Sequence, residues 1–270
     1  MIFSKKIQDL ATEAELALVA QFQHIEEVAF RNTQKVMEAF RVHRVSDTCF
    51  QSTSGYGYDD RGREVLEEVW ADVMGAEAAV VRHSIISGTH ALSTGLFGIL
   101  RPGDVMYSVA GKPYDTLEEV IGISGEPGNG SLADYGVTYR DVEMIDGKAL
   151  DFDAIGAFLR SEEGERVKVC FLQRSKGYLN RRTLTVDEIG EATRFVKSIR
   201  PDVFVVVDNC YGEFVETVEP CAVGADLCIG SLIKNPGGGM AETGGYLAGS
   251  ARAVELCSYR LTCPGIGLEV

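Results

Sequence analysis

The sequence predicts an α/β fold, a mostly parallel sheet with helices on both faces. Three observations predict it. Short apolar runs alternate with helical patterns from residue 76 to 231, as they do when crossover helices join parallel strands. The run Phe204-Val-Val-Val207 is apolar throughout and bounded by Pro201 and Gly212, which suits a strand buried on both faces. Polar residues then follow several apolar runs: Gln173-Arg-Ser, Asp208, and Ser231 with Lys234. Open α/β sheets bind their ligands at the carboxyl ends of strands.

Residues 9–41 contain neither Pro nor Gly and carry Leu10, Ala14, Ala17 and Leu18, then Val28, Val36 and Phe40, at helical spacing. Two amphipathic helices are expected, packed on the main body or on a second subunit. Residues 1–45 thus form a helical segment ahead of a large domain over 46–260, and His24 and His43 belong to its surface or an interface. Ser54–Arg63 is a glycine- and tyrosine-rich loop, Glu64–Met74 a helix stopped by Gly75, and Ala76–Val81 the first strand.

Ser87-Gly88-Thr89 opens the next helix, whose unpaired first-turn N–H groups and dipole favour an anion. Gly88 lets a phosphate come close. Small hydroxyl residues are also ordinary N-caps. His90 follows at once. Asp104–Val109 reads as a strand, and the turn Gly111-Lys-Pro-Tyr114 leads to a helix that Asp115 or Thr116 can cap. Gly122–Gly130 is expected to be a mobile loop and the natural place for a lid. Gly136–Val142 and Val167–Leu172 read as strands, with a short helix over Asp151–Arg160 between them. Thr185-Val-Asp-Glu188 is a capping box that starts a helix to about Ile199. Gly244–Gly249 and Ala251–Arg260 complete the alternation as a strand and a helix.

The formal charge of −14 and the pI near 4.8 exclude nucleic acid and anionic membrane as natural partners. The first residues lack the apolar core of a signal peptide, and no stretch is long enough to span a bilayer. Seven cysteines form no C-x-x-C pair, so reduced thiols in a cytoplasmic protein are expected, with neither a metal site nor a disulfide framework.

Lys234 lies between a buried strand and the glycine-rich stretch Asn235-Pro-Gly-Gly-Gly239. A lysine there is expected to be partly desolvated, with a lowered pKa and a nucleophilic amine. Taken singly, Asp208 could cap a loop and Lys234 could be merely solvated. An aspartate ending one strand and a lysine following the next resemble the cofactor-binding core of fold-type I pyridoxal-phosphate (PLP) enzymes. Lys176, a rival, sits in the charged stretch Arg174–Arg182 and follows no matched aspartate strand.

Gly88-Thr89, Tyr114, Gln173-Arg-Ser-Lys-Gly-Tyr178, Asp208-Asn-Cys-Tyr-Gly-Glu-Phe214 and Ser231-Leu-Ile-Lys234 together resemble the methionine gamma-lyase-like group. That group is also labelled aluminium-resistance proteins and is related to cystathionine beta- and gamma-lyases. The resemblance implies a fold-type I large domain, PLP carried by Lys234, and Asp208 holding the pyridine nitrogen protonated. It implies a phosphate cup at Ser87, Gly88, Thr89 and Ser231, and a ring-stacking group in Tyr114 or His90. Tyr114 would also protonate a leaving thiol. Arg174 and Ser175 would face the cofactor's 3′-oxygen or the substrate carboxylate. Tyr56 and Tyr58, and with them Arg61, would reach a partner subunit's cofactor phosphate. Members of the group are longer, so residues 261–270 would begin a connection to a C-terminal domain. The reaction implied is carbon–sulfur cleavage of an amino acid to a thiol, ammonia and a 2-oxo acid, in a homodimer or homotetramer. Another PLP reaction, or cofactor binding without turnover, remains open at this point.

Overall fold

A computed structural model describes residues 3–54 and 60–269; Tyr56 and Tyr58 lie outside the described residues. The chain begins with α1 (Lys5–Ala17) and α2 (Val19–Val42), followed by α3 (Arg61–Met74), β1 (Ala78–Arg82) and α4 (Gly88–Ile99). Then come β2 (Val105–Ser108), α5 (Asp115–Ile121), β3 (Thr138–Asp141), α6 (Phe152–Leu159), β4 (Val167–Gln173) and α7 (Val186–Ile199). The last four elements are β5 (Phe204–Asp208), β6 (Leu227–Ser231), β7 (Gly245–Gly249) and α8 (Ala251–Leu261).

The seven strands form one sheet in the order β1-β7-β6-β5-β4-β2-β3. The pairs from β6 to β3 are parallel, while β7 runs antiparallel between β1 and β6. Alternate residues of the central strands feed opposite faces. Phe171, Val206 and Ile229 pack under Leu92, Leu96, Leu117 and Val254 of α4, α5 and α8. Cys170, Leu172, Val205 and Val207 pack against Ile155, Leu159, Ile189 and Val196 of α6 and α7. Both faces are therefore buried, which is why the strands lack polar alternation.

Local chemistry ends several helices where the sequence places it. Thr185 and Glu188 form the capping box of α7, with Thr185 N–H donating to Glu188 Oε2 at 2.9 Å. Gly75 stops α3 at φ 66°, a left-handed conformation that glycine adopts without a Cβ penalty. At α5 the N-cap position belongs to Tyr114 rather than to Asp115 or Thr116.

One expectation is met in part at this level and one changes. α2 does pack on the main body: Asn32 is buried, and its Nδ2 donates to Phe214 O at 3.0 Å and Glu216 O at 3.1 Å. α1 buries none of its residues. The glycine-rich loop at 122–130 is not a lid over a strand end. Asp134 accepts the N–H groups of Gly128, Gly130 and Ser131 at 2.9–3.0 Å, tying the loop beside α4 and α5.

Candidate active site

The carboxyl ends of β4, β5 and β6 lie side by side. Gln173 stands opposite Asp208 in one ladder, and Asp208 opposite Ile229 in the next. A cleft of about 500 Å³ opens above them. Of the residues singled out in the sequence, Ser87, Gly88, Thr89, Tyr114, Gln173, Ser175, Asp208 and Lys234 line it, and so does the rival Lys176.

Asp208 is 1% exposed and ends β5, its Oδ1 accepting Cys210 N–H at 3.0 Å. No cation pairs with it among the described residues, and burial pushes its carboxyl up to about 6. A buried carboxylate without a counter-ion is matched to a ligand that brings a positive charge.

Lys234 is placed as expected but does not behave as expected. Its Nζ lies 2.6 Å from Tyr211 Oη and 4.4 Å from that ring's centroid. The Tyr211 contact holds the ammonium above the ordinary lysine range, against a smaller opposing effect of burial. The expected lowering fails because the amine faces an open cleft and a phenol, not an apolar wall. Tyr211, a non-glycine residue at φ 69°, was not visible in the sequence as a site residue. The sequence offers only the turn signal of Asn209 and Gly212 around it.

The amino end of α4 forms another wall. Ser87 Oγ accepts His90 N–H at 3.1 Å, so the serine is a real N-cap. Gly88 N and Thr89 N have no partner among the described residues. Gly88 is closely approached: a Cβ there would lie 3.0 Å from Cys210 Sγ and 3.4 Å from Ser231 Cβ, so the thiol would have to give by a few tenths of an ångström. Thr89 Oγ1 lies 2.7 Å from Tyr114 Oη, and Tyr114 N–H donates to Gln173 Oε1 at 2.8 Å. Burial raises the Tyr114 phenol to about 12.

Three predicted residues are not brought into the cleft. Arg174 is 2% exposed and points the other way. Its Nη1 donates to Asn209 Oδ1 and Gly212 O, both at 2.8 Å, and its Nη2 pairs with Glu216 at 2.6 Å. The acids at 216 and 219 attract it, so it braces the segment after Asp208. His90 Nδ1 accepts Ile86 N–H at 3.3 Å and does not line the cleft, which leaves Tyr114 as the aromatic of the pair. Ser231 is fully buried and caps its own turn, accepting Ile233 N–H at 3.4 Å. Ser175 does line the cleft, its carbonyl held by Gln173 Nε2 at 3.1 Å and Arg181 Nη2 at 3.0 Å.

A family model described as methionine gamma-lyase matches residues 7–270. The chain belongs to that family. It is 52% identical to the uncharacterized protein YnbB of Bacillus subtilis over 97% of this chain and 62% of that protein. It is 46% identical to a carbon–sulfur lyase involved in aluminium resistance from Clostridium novyi, with a TM-score of 0.92 over 98% of this chain and 62% of the other. A proposed cystathionine beta-lyase involved in aluminium resistance from Listeria monocytogenes is 50% identical, with a TM-score of 0.92 over 97% and 64%. The chain thus spans under two thirds of these relatives' length. The PLP-dependent protein YhfS of Escherichia coli shares the fold at 18% identity and a TM-score of 0.63.

The described residues of this family member fit PLP. Asp208 lacks the cation that a protonated pyridine nitrogen supplies, the α4 terminus has free N–H groups for a phosphate, and Lys234 presents an amine in the same cleft.

Proposed function

We propose that the cleft binds PLP and that the protein is a carbon–sulfur lyase acting on a sulfur-containing amino acid. The observation that carries this reading is the meeting of a buried, unpaired Asp208 with the Lys234 amine in one cleft. The cofactor, when bound, withdraws electrons from the α-carbon of an attached amino acid and makes its proton acidic.

This chain's residues supply the rest. The Lys234 amine anchors the cofactor covalently and, once released by substrate, takes and returns the α-proton. Asp208 keeps the pyridine nitrogen protonated, at a carboxyl whose own ionisation the added cation favours. Gly88 and Thr89 N–H bind the phosphate at the positive end of α4. Tyr114, a phenol that is protonated at neutral pH and that burial raises further to about 12, holds the proton that a departing thiolate needs. With one water consumed to supply the keto oxygen, the products are then a thiol, ammonia and a 2-oxo acid. Apolar residues left exposed on the amino-terminal helices, such as Ile7, Leu10 and Phe22, support assembly as a homo-oligomer.

The test is an absorption spectrum after adding PLP, followed by borohydride reduction and peptide mapping. A visible-range band and a reduced adduct on Lys234 are expected, both lost in Lys234→Ala. An adduct on Lys176 instead would refute the assignment. A panel of amino acids, with thiol and 2-oxo acid measured separately, then tests the reaction: 2-oxo acid without thiol from a sulfur amino acid would point to transamination.

A further inference from the structure

The segment between β5 and β6 carries a buried acid that the mechanism above does not use. Glu213 is 1% exposed. Its Oε1 accepts the Tyr246 hydroxyl of β7 at 2.9 Å, and its Oε2 is buried without a partner among the described residues. The carboxyl occupies a notch that only glycine leaves open. A Cβ on Gly230 of β6 would lie 2.5 Å from Tyr246 Oη and closer still to Glu213 Oε1. The main chain of the same residue reaches the lysine turn, Glu213 O accepting Asn235 Nδ2–H at 3.0 Å. Two residues earlier, Tyr211 touches Lys234 Nζ.

We propose that Glu213 is the positioning residue for Lys234: its carboxyl, seated in the Gly230 notch against Tyr246, holds segment 211–213 against the lysine turn. This rests on the reading of Lys234 as the cofactor-bearing lysine. One residue is thereby tied to β6 just before the lysine, to β7, and to the residue just after it.

The notch suits a neutral carboxylic acid. Burial, reinforced by the charges of Glu219 and Asp208, pushes Glu213 up to about 8. The groups facing it are Tyr246 of β7, Cys228 of β6, Asp208 of β5, Glu219 and Cys210 of its own segment, and Lys234. Arg174, from the end of β4, and Lys35 of α2 act on Glu219. Glutamine keeps the acid's shape without its charge, and alanine empties the notch.

The experiment is trace acetylation of the cofactor-free protein with acetic anhydride from about pH 6 to about pH 10, reading Lys234 against exposed Lys148. Glu213→Ala, shown folded by circular dichroism, is expected to change the relative labelling of Lys234 at least about threefold near pH 7. Glu213→Gln is expected to stay within about twofold of the parent there and to diverge above about pH 8, where the parent gains a carboxylate that holds the Lys234 proton. A folded Glu213→Ala that labels like the parent overturns the proposal. If Glu213→Ala does not fold, Tyr246→Phe, which removes the hydroxyl that Glu213 Oε1 accepts, is the second variant, and labelling of Lys234 within about twofold of the parent near pH 7 overturns the proposal. The cofactor reading fails separately: borohydride trapping on the parent protein then yields no Lys234 adduct, whatever the acetylation profile.

Discussion

Asp208→Asn removes a charge from the cleft and leaves its shape, so it separates what the carboxylate costs from what it provides. Burial moves the carboxyl from 3.8 to about 6. Two units correspond to about 3 kcal/mol. The sign follows from the folded state binding this proton more tightly than the unfolded chain does. Stability conferred by the neutral acid is complete below about pH 4, is lost as pH rises towards about 6, and stays lost above it. Asparagine carries no such cost, and its amide oxygen can still accept Cys210 N–H. Without cofactor at about pH 7.5, the variant is therefore expected to be more stable by about 2–3 kcal/mol, raising Tm by about 5–10 °C. Near pH 4 the two proteins should melt together. With saturating PLP the order should reverse, because the variant loses the ion pair to the ring nitrogen and binds at least about 200-fold more weakly, a loss above about 3 kcal/mol that outweighs the apo gain. Melting curves at both pH values, with and without PLP, check all four cases. An apo variant no more stable than the parent at neutral pH, or an equal Tm difference at both pH values, would refute the reasoning.

Tyr211→Phe removes the hydroxyl that holds the Lys234 proton, so the pKa of Lys234 should fall toward its ordinary value, as read by acetylation of the apo protein. An unchanged or higher pKa would mean the contact does not govern the amine. Asn32→Ala strips two carbonyls, Phe214 O and Glu216 O, of their shared donor and is expected to cost about 2–3 kcal/mol in urea unfolding. A loss under about 0.5 kcal/mol would show that α2 does not brace this segment.

The parts of this fold legible in the sequence were those governed by local rules. The apolar runs at 167–172, 204–207 and 227–229 became β4, β5 and β6 because strands covered on both faces need no polar alternation. Thr185 and Glu188 cap α7 because that geometry closes within four residues. Asp208 and Lys234 were legible for a related reason: one ends a buried strand at its carboxyl end and the other follows the next strand by three residues. Arg174 marks the limit. The sequence shows that it follows β4, but only the distant acids Glu216 and Glu219 decide that its guanidinium turns away from the cleft. His90 was likewise placed correctly on α4, and its turn toward Ile86 was not legible.

The sequence by itself determined the alternation of strands and helices, the caps, and the strand-end positions of the aspartate and the lysine, since each depends on neighbours along the chain. Tertiary structure decided the reversal of β7, the pinned loop at Asp134, the Tyr211–Lys234 contact and the burial of Glu213 in the Gly230 notch. Those depend on groups brought together from different strands, and ionisation follows the same division. Residue type sets the starting pKa, but burial raises Asp208 to about 6 and the Tyr211 contact holds Lys234 above its ordinary range.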